Sequence, residues 1–266
     1  MPDFSLIAGG NRIEEAGAVT ADSGGTGITS NASANTKGLY TQLIASTAFQ
    51  ATAIMVQHGA SATGASFLID ISIGAADSEQ VIISNLFRLA KNDYMLAPIF
   101  PISTPAGSRI AARCQDDIGS GTLDLSISLF GNTLLNSASL SRVTAYGATT
   151  ATSLGTAVTP GSNTEGAYAE LSGSTTNPTR ALLVVCAASD IALPNAQGLI
   201  DIAVGAATSE QVILSNLRYE LMSSLDTLVP QCWGPFPVNI PAGIRIAARA
   251  AASGAQDLSA VVYGMD

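Results

Sequence analysis

Apolar and polar residues alternate over short runs in this chain, and Gly, Ser, Thr and Asn separate the runs. In residues 68–74, Ile69, Ile71 and Ile73 fall on one side of a period of two, and Leu68, Asp70 and Ser72 fall on the other. That is the pattern of a pleated strand, and three β-branched residues in a row of like-facing positions favour it over a helix. Residues 108–114 and 124–130 alternate in the same way. Pro105-Ala106-Gly107 stands before the first of these as a turn, because proline presets φ and glycine supplies a positive one. Pro241-Ala242-Gly243 repeats the signal. Helix is expected only as a turn or two at 84–91 and 215–223.

The stretch LIDISIGAADSEQVIISNL from Leu68 to Leu86 returns as LIDIAVGAATSEQVILSNL from Leu199 to Leu217, with fifteen of nineteen positions identical. Other matches follow in order: NTKGLYTQL at 35–43 with NTEGAYAEL at 163–171, AIMV at 53–56 with ALLV at 181–184, PAGSRIAAR at 105–113 with PAGIRIAAR at 241–249, and DLSISLFG at 124–131 with DLSAVVYG at 257–264. The offset drifts between 128 and 136, so insertions fall between matched blocks, where loops tolerate them. A unit of roughly 100 residues is a domain rather than a solenoid repeat. With about seven or eight strands per unit, the expected fold is all-β: two tandem jelly-roll-like antiparallel β-sandwich domains from an internal duplication. The expected division is an N-terminal arm at 1–33, repeat one at 34–132, a linker with a first strand at 133–161, and repeat two at 162–266. Residues 1–33 carry no clear duplicate beyond a faint echo of GIT (27–29) in AVT (157–159).

Composition narrows the function classes. Hydrophobic residues make up 47% and charged ones 12%, so apolar material is ample for two cores, yet no apolar run reaches the length of a spanning helix. A formal charge of −9 with only 11 Lys and Arg repels phosphate backbones and anionic membranes. Neither nucleic acid nor membrane is an expected partner. The N-terminus lacks a basic start followed by an apolar core, so no secretory signal is expected. Cys114, Cys186 and Cys232 are far apart without C-x-x-C spacing, and read as buried small hydrophobes; a Cys186–Cys232 bridge is the alternative.

NTKGLYTQLIAST, SEQVIISNL and PAGSRIAAR together make the chain resemble structural proteins of tailed-phage virions, in which single or tandem β-sandwich units carry similar phrases. The resemblance covers both repeats, nearly all of 34–266. It implies a jelly-roll-like domain and a particle component of the tail, baseplate or capsid surface, assembled in the host cytoplasm.

Catalytic chemistry is hard to find. Asp70/Asp201, Glu79/Glu210, Arg109/Arg245, Arg113/Arg249 and Asp124/Asp257 recur in both repeats. Carboxylates with an arginine can do acid–base work on an anion, but without a nucleophile or tuned base these read as pairs across a sandwich face or to a neighbouring subunit. His58 is the one histidine, read as a surface or loop residue at a strand end, and no G-x-S-x-G or zinc spacing surrounds it. Asp116-Asp117 with Asp77 and Glu79 offer carboxylates to a structural cation as a minority reading, without EF-hand spacing. Trp233 reads as filler of a seam between sheets or subunits, with a sugar-stacking platform as the alternative. Tyr40/Tyr168 and Phe130/Tyr263, the repeated aromatics, read as core.

The expectation is therefore no enzyme and no cofactor, catalytic group or metal. It is a virion assembly subunit that partners with itself, for instance as a trimer presenting six similar domains, and with other virion proteins. The interface candidates are Asp70, Glu79, Arg109, Arg113, Asp201, Glu210, Arg245, Arg249 and Trp233. The alternative is a receptor- or carbohydrate-binding module that meets a host glycan.

Overall fold

The computed structural model describes residues 12–17, 24–61, 64–88, 97–131, 140–153, 155–188, 196–221, 231–254 and 257–266. Repeat one supplies β1 (Arg12–Ala16), β2 (Thr26–Thr29), β3 (Thr41–Ile44), β4 (Ala53–Ser61), β5 (Phe67–Ile73), β6 (Gln80–Arg88), β7 (Ile99–Phe100), β8 (Ile110–Asp116) and β9 (Thr122–Gly131). Repeat two supplies β10 (Val143–Tyr146), β11 (Thr156–Val158), β12 (Gly161–Ser162), β13 (Ala169–Ser172), β14 (Thr179–Ala188), β15 (Ala196–Val204), β16 (Gln211–Leu221), β17 (Gln231–Ile240), β18 (Ile246–Ala252) and β19 (Leu258–Met265). The fold is all-β, with two tandem jelly-roll-like antiparallel sandwiches.

The strands form three sheets. One outer sheet runs β1-β9-β4-β7 with β2 also on β9; the other runs β12-β18-β15-β16 with β13 also on β18. Between them a nine-stranded sheet runs β17-β14-β19-β10-β6-β5-β8-β3, with β11 also on β19. This middle sheet crosses the duplication at β10, which pairs antiparallel with β19 and bridges parallel to β6 at Val143 and Ile83. The two sandwiches thus share one continuous layer.

Residue patterning explains which faces are covered. On β9, Leu123, Leu125, Ile127 and Leu129 alternate with more polar positions and are fully buried in the first core. On β14, Leu183, Val185 and Ala187 join that same core, while Leu182, Val184 and Cys186 enter the second. β19 divides likewise, with Val261, Tyr263 and Met265 on one side and Ala260 and Val262 on the other. A strand buried on both faces needs an unbroken apolar run, and ALLVVCA at 181–187 is one.

β5 departs from the expected half-buried alternation: Phe67 through Ser72 are all buried. Its outer face is roofed by the turn after β10, where Ala148 and Ala151 share a cluster with Leu68. Asn85 Nδ2 donates to the Ala148 carbonyl at 3.1 Å, Gln115 Nε2 to Thr149 O at 3.3 Å, and Thr152 N to Asn35 Oδ1 at 2.9 Å. Tyr263 is fully buried in the joint; its hydroxyl accepts from Phe87 N at 2.8 Å and donates to Asn85 O at 3.3 Å, and its ring meets Phe100 edge-on at 5.9 Å.

Two expectations are corrected. Within the stretch read as an arm, residues 12–16 and 26–29 are strands on β9. Their duplicates are β10 and β11 on β19: Arg12, Ile13 and Gly17 match Arg142, Val143 and Gly147 at an offset of 130, though β1 and β10 pair two residues apart in register. Both glycines have positive φ, 93° and 99°, and a Cβ at Gly17 would meet the Leu125 carbonyl at 2.6 Å. The helical turns expected at 84–91 and 215–223 are strands as far as Arg88 and Leu221, and the remainder lies outside the described residues. Here Asn85 and Asn216 take positive φ (49° and 56°) at bulges, with the Asn85 N–H held by Asp70 Oδ1 and the Asn216 N–H by Asp201 Oδ1.

Candidate functional site

The repeated charged residues come together as two copies of one cluster. Cross-strand register sets Asp70 opposite Arg113 and Asp201 opposite Arg249. Arg113 Nε donates to Asp70 Oδ2 at 3.0 Å, and Arg249 Nη2 donates to Asp201 Oδ2 at 2.9 Å. The second carboxylate oxygen of each holds the bulge N–H of β6 or β16. Each guanidinium lies over a ring, Arg113 on Tyr40 at 4.6 Å and Arg249 on Tyr168 at 4.8 Å. Both tyrosines are half-buried rather than core, and Phe130 is half-buried too, so of the repeated aromatics only Tyr263 is core.

A second pair flanks each cluster. Arg109 Nη1 donates to Glu79 Oε1 at 2.9 Å and to the Gly74 carbonyl; Arg245 Nη1 donates to Glu210 Oε1 at 2.8 Å and to the Gly205 carbonyl. Desolvation pushes the Glu79 and Glu210 carboxyls up, but hydrogen bonds from backbone amides and the arginine outweigh it, and both sit below the ordinary carboxylate value. Asp124 stands apart on β9 opposite Gly27.

The clusters differ at one position. Lys37 Nζ donates to Asp70 Oδ1 at 2.9 Å, so one carboxylate holds two cations. Burial lowers the Lys37 pKa and the Asp70 charge opposes that. Glu165 takes the matching place in repeat two, 3.5 Å from Arg249, so one arginine faces two carboxylates. Burial first, and then the Asp201 charge, raise the Glu165 carboxyl above its ordinary value. Every oxygen of Asp70 and Asp201 is occupied by an internal donor. The arrangement staples neighbouring strands through Asp70 and Asp201.

The other candidates are placed as follows. His58 is 5% exposed in the interior of β4, not at a surface strand end. Burial, reinforced by the Arg88 charge, lowers its pKa to about 4, so it is neutral. Trp233 is half-buried on the edge strand β17, packed against the second core; Ala97 matches it in repeat one. Cys114, Cys186 and Cys232 are free; Cys186 faces the second core and Cys232 packs on the first, on opposite faces of the sheet. Burial pushes the Cys114 thiol up to about 12. Asp116 accepts from Gly119 N and Gly121 N at 2.6 Å each, and Asp117 Oδ1 accepts from Ser66 N, so these carboxylates tie loops. Among the described residues no group of three or more His, Cys, Asp or Glu is placed to hold a metal ion.

The feature that sequence reasoning missed is an asymmetry between equivalent surfaces. In repeat one, a groove bordered by Ile73, Gln80, Ile82 and Pro105 has Leu140–Arg142 of repeat two as a wall, with Ser103 N donating to Leu140 O at 2.7 Å. In repeat two the matching residues Val204, Gln211, Ile213 and Pro241 border a groove of about 490 Å³, against about 680 Å³ in repeat one, so both grooves are open and the asymmetry lies in the strand beside them. Ile82, Ile83, Leu86 and Phe87 of β6 are buried; on β16, Ile213, Leu214 and Leu217 are half-exposed, and Val212 is 39% exposed.

No family model matches this chain, and no curated protein matches it either. Among solved structures it is similar to the N-terminal CBM22-1-CBM22-2 tandem domain of Paenibacillus barcinonensis Xyn10C, at 9% identity and a TM-score of 0.27, over 94% of this chain and 91% of that one.

Proposed function

We propose that this protein is a non-enzymatic structural subunit of a virus particle of the tailed-phage kind, acting through contacts with its own copies and with other virion proteins in the tail or capsid. The observation that carries this reading is the joint between the repeats. One sandwich already serves as a docking surface for the other, and the equivalent strand of repeat two, β16, is an edge whose Ile213, Leu214 and Leu217 are only half-buried. The conspicuous charged residues are consumed internally, which suits a scaffold more than a reaction centre. Small residues and a half-exposed apolar strand suit burial between subunits.

A glycan-binding role, the alternative, asks for exposed rings at equivalent places. Tyr40 and Tyr168 are equivalent, but each has one face covered by arginine, and Trp233 has no aromatic counterpart. Electron microscopy of the purified chain separates the readings. Assembly expects uniform multi-subunit objects. Dispersed single chains that bind a glycan array, and lose that binding in Trp233→Ala, would replace it with the alternative.

A further inference from the structure

We infer that the open β16 surface of repeat two receives the β1 edge of a second copy of this chain, so that copies join head to tail as the two repeats join within one copy. The inference rests on the assembly reading and names the surfaces it uses.

The internal joint supplies the template. There β10, the edge strand of repeat two, lies along β6, with Val143 opposite Ile83, and Ser84 Oγ donates to Val143 O at 3.3 Å and accepts from Ala145 N at 3.1 Å. Val143 and Ile83 are both fully buried. Each half of this joint has a duplicate with no such partner among the described residues. The duplicate of β6 is β16, an edge strand whose Leu214 and Ser215 match Ile83 and Ser84. The duplicate of β10 is β1, an edge strand whose Ile13 matches Val143 in sequence and lies on β9 where Ala145 lies on β19. Ile13 is 65% exposed where Val143 is 0% exposed. The chain thus carries one complete joint and, at its two far sides, the two halves of another.

The two free edges also differ in charge from the halves of the internal joint. β1 carries Glu14 and Glu15 where β10 has Thr144 and Ala145, with Glu14 accepting from Ala48 N and Glu15 from Ser128 Oγ, and β16 carries Arg218, two residues from Glu220, where β6 has Phe87. Charges on an edge strand deter indiscriminate pairing. Because the two surfaces differ, the contact is heterologous, and such contacts close into rings or extend as filaments.

The test uses full-length chains and native mass. Ile13→Arg blocks only the inserting edge and Val212→Arg only the receiving one. Both side chains are already exposed, so urea midpoints should match wild type. The wild-type chain should assemble, and each variant alone should run as a single chain of 26.9 kDa. An equimolar mixture should form a one-to-one complex of about twice that mass and no larger, because one intact joint remains between the two variants. Leu39→Arg, at a residue 90% exposed between β2 and β3, should assemble like wild type. If wild type assembles and either variant assembles equally well, or the mixture stays monomeric, the head-to-tail contact is wrong while the assembly reading stands. A monomeric wild type removes both.

Discussion

Tyr263→Phe tests whether the two sandwiches are one cooperative body. The substitution keeps the ring, its full burial and its edge contact with Phe100, and deletes only the hydroxyl. That hydroxyl satisfies the Phe87 N–H at 2.8 Å and the Asn85 carbonyl at 3.3 Å, both on β6 of the other repeat. A buried polar group left without its partner costs about 1–3 kcal/mol. The short bond to Phe87 should contribute most and the long one little, so the expected loss is about 2–3 kcal/mol, or about 4–6 °C in Tm for a chain of this size. Urea unfolding with calorimetry measures it, and wild type should show one transition because the middle sheet spans both repeats. The reverse change at the matching, half-buried position, Phe130→Tyr, should cost under about 0.5 kcal/mol. A loss below about 0.5 kcal/mol for Tyr263→Phe, or two separate wild-type transitions of which only one responds, would refute a sealed joint.

Asp70→Asn should destabilise by about 2–4 kcal/mol, since it strands Lys37 and Arg113 against a largely buried site. Asp201→Asn should cost less, because it also relieves Glu165; equal urea midpoints would contradict the difference between the clusters. Glu165→Lys copies repeat one into repeat two and should stabilise by no more than about 1 kcal/mol at neutral pH. The folded Glu165 carboxyl is raised, so its penalty appears as pH rises above the ordinary carboxylate value of 4.5. The gain should therefore fade near pH 4 and shrink with added salt. His58 has a folded pKa of about 4 against an ordinary 6.5, so its contribution is complete above pH 6.5 and falls away as pH drops toward 4. The loss amounts to about 3 kcal/mol across that window. His58→Leu should flatten that part of the stability–pH curve, and an unchanged slope would sink the assignment.

The duplication was legible because it is carried by local necessities. Asn35/Asn163, Asp77/Thr208 and Asn85/Asn216 all take positive φ, and Asp70/Asp201 each hold a bulge amide, so these phrases resist change together. Alternation likewise revealed β5, β8 and β9. What escaped is what depends on distant chain. β1 and β10 share little beyond an arginine, a β-branched residue and a closing glycine, because an edge strand open to solvent and one wedged in a sheet need different side chains. The polar Ser84-Asn85 of β6 suggests a helical turn in the sequence because the carboxylate that fixes the bulge lies fifteen residues away, on β5. His58 looks like a loop residue until Arg88 and the core close around it. The uncovered edge of β16 could be recognised only by overlaying it on β6, which β10 covers.

Sedimentation of the full-length wild-type chain over a wide concentration range probes the assembly claim most directly. A discrete species at a multiple of 26.9 kDa, persisting on dilution, is the expected result. A folded, strictly single-chain species at every concentration would contradict the account.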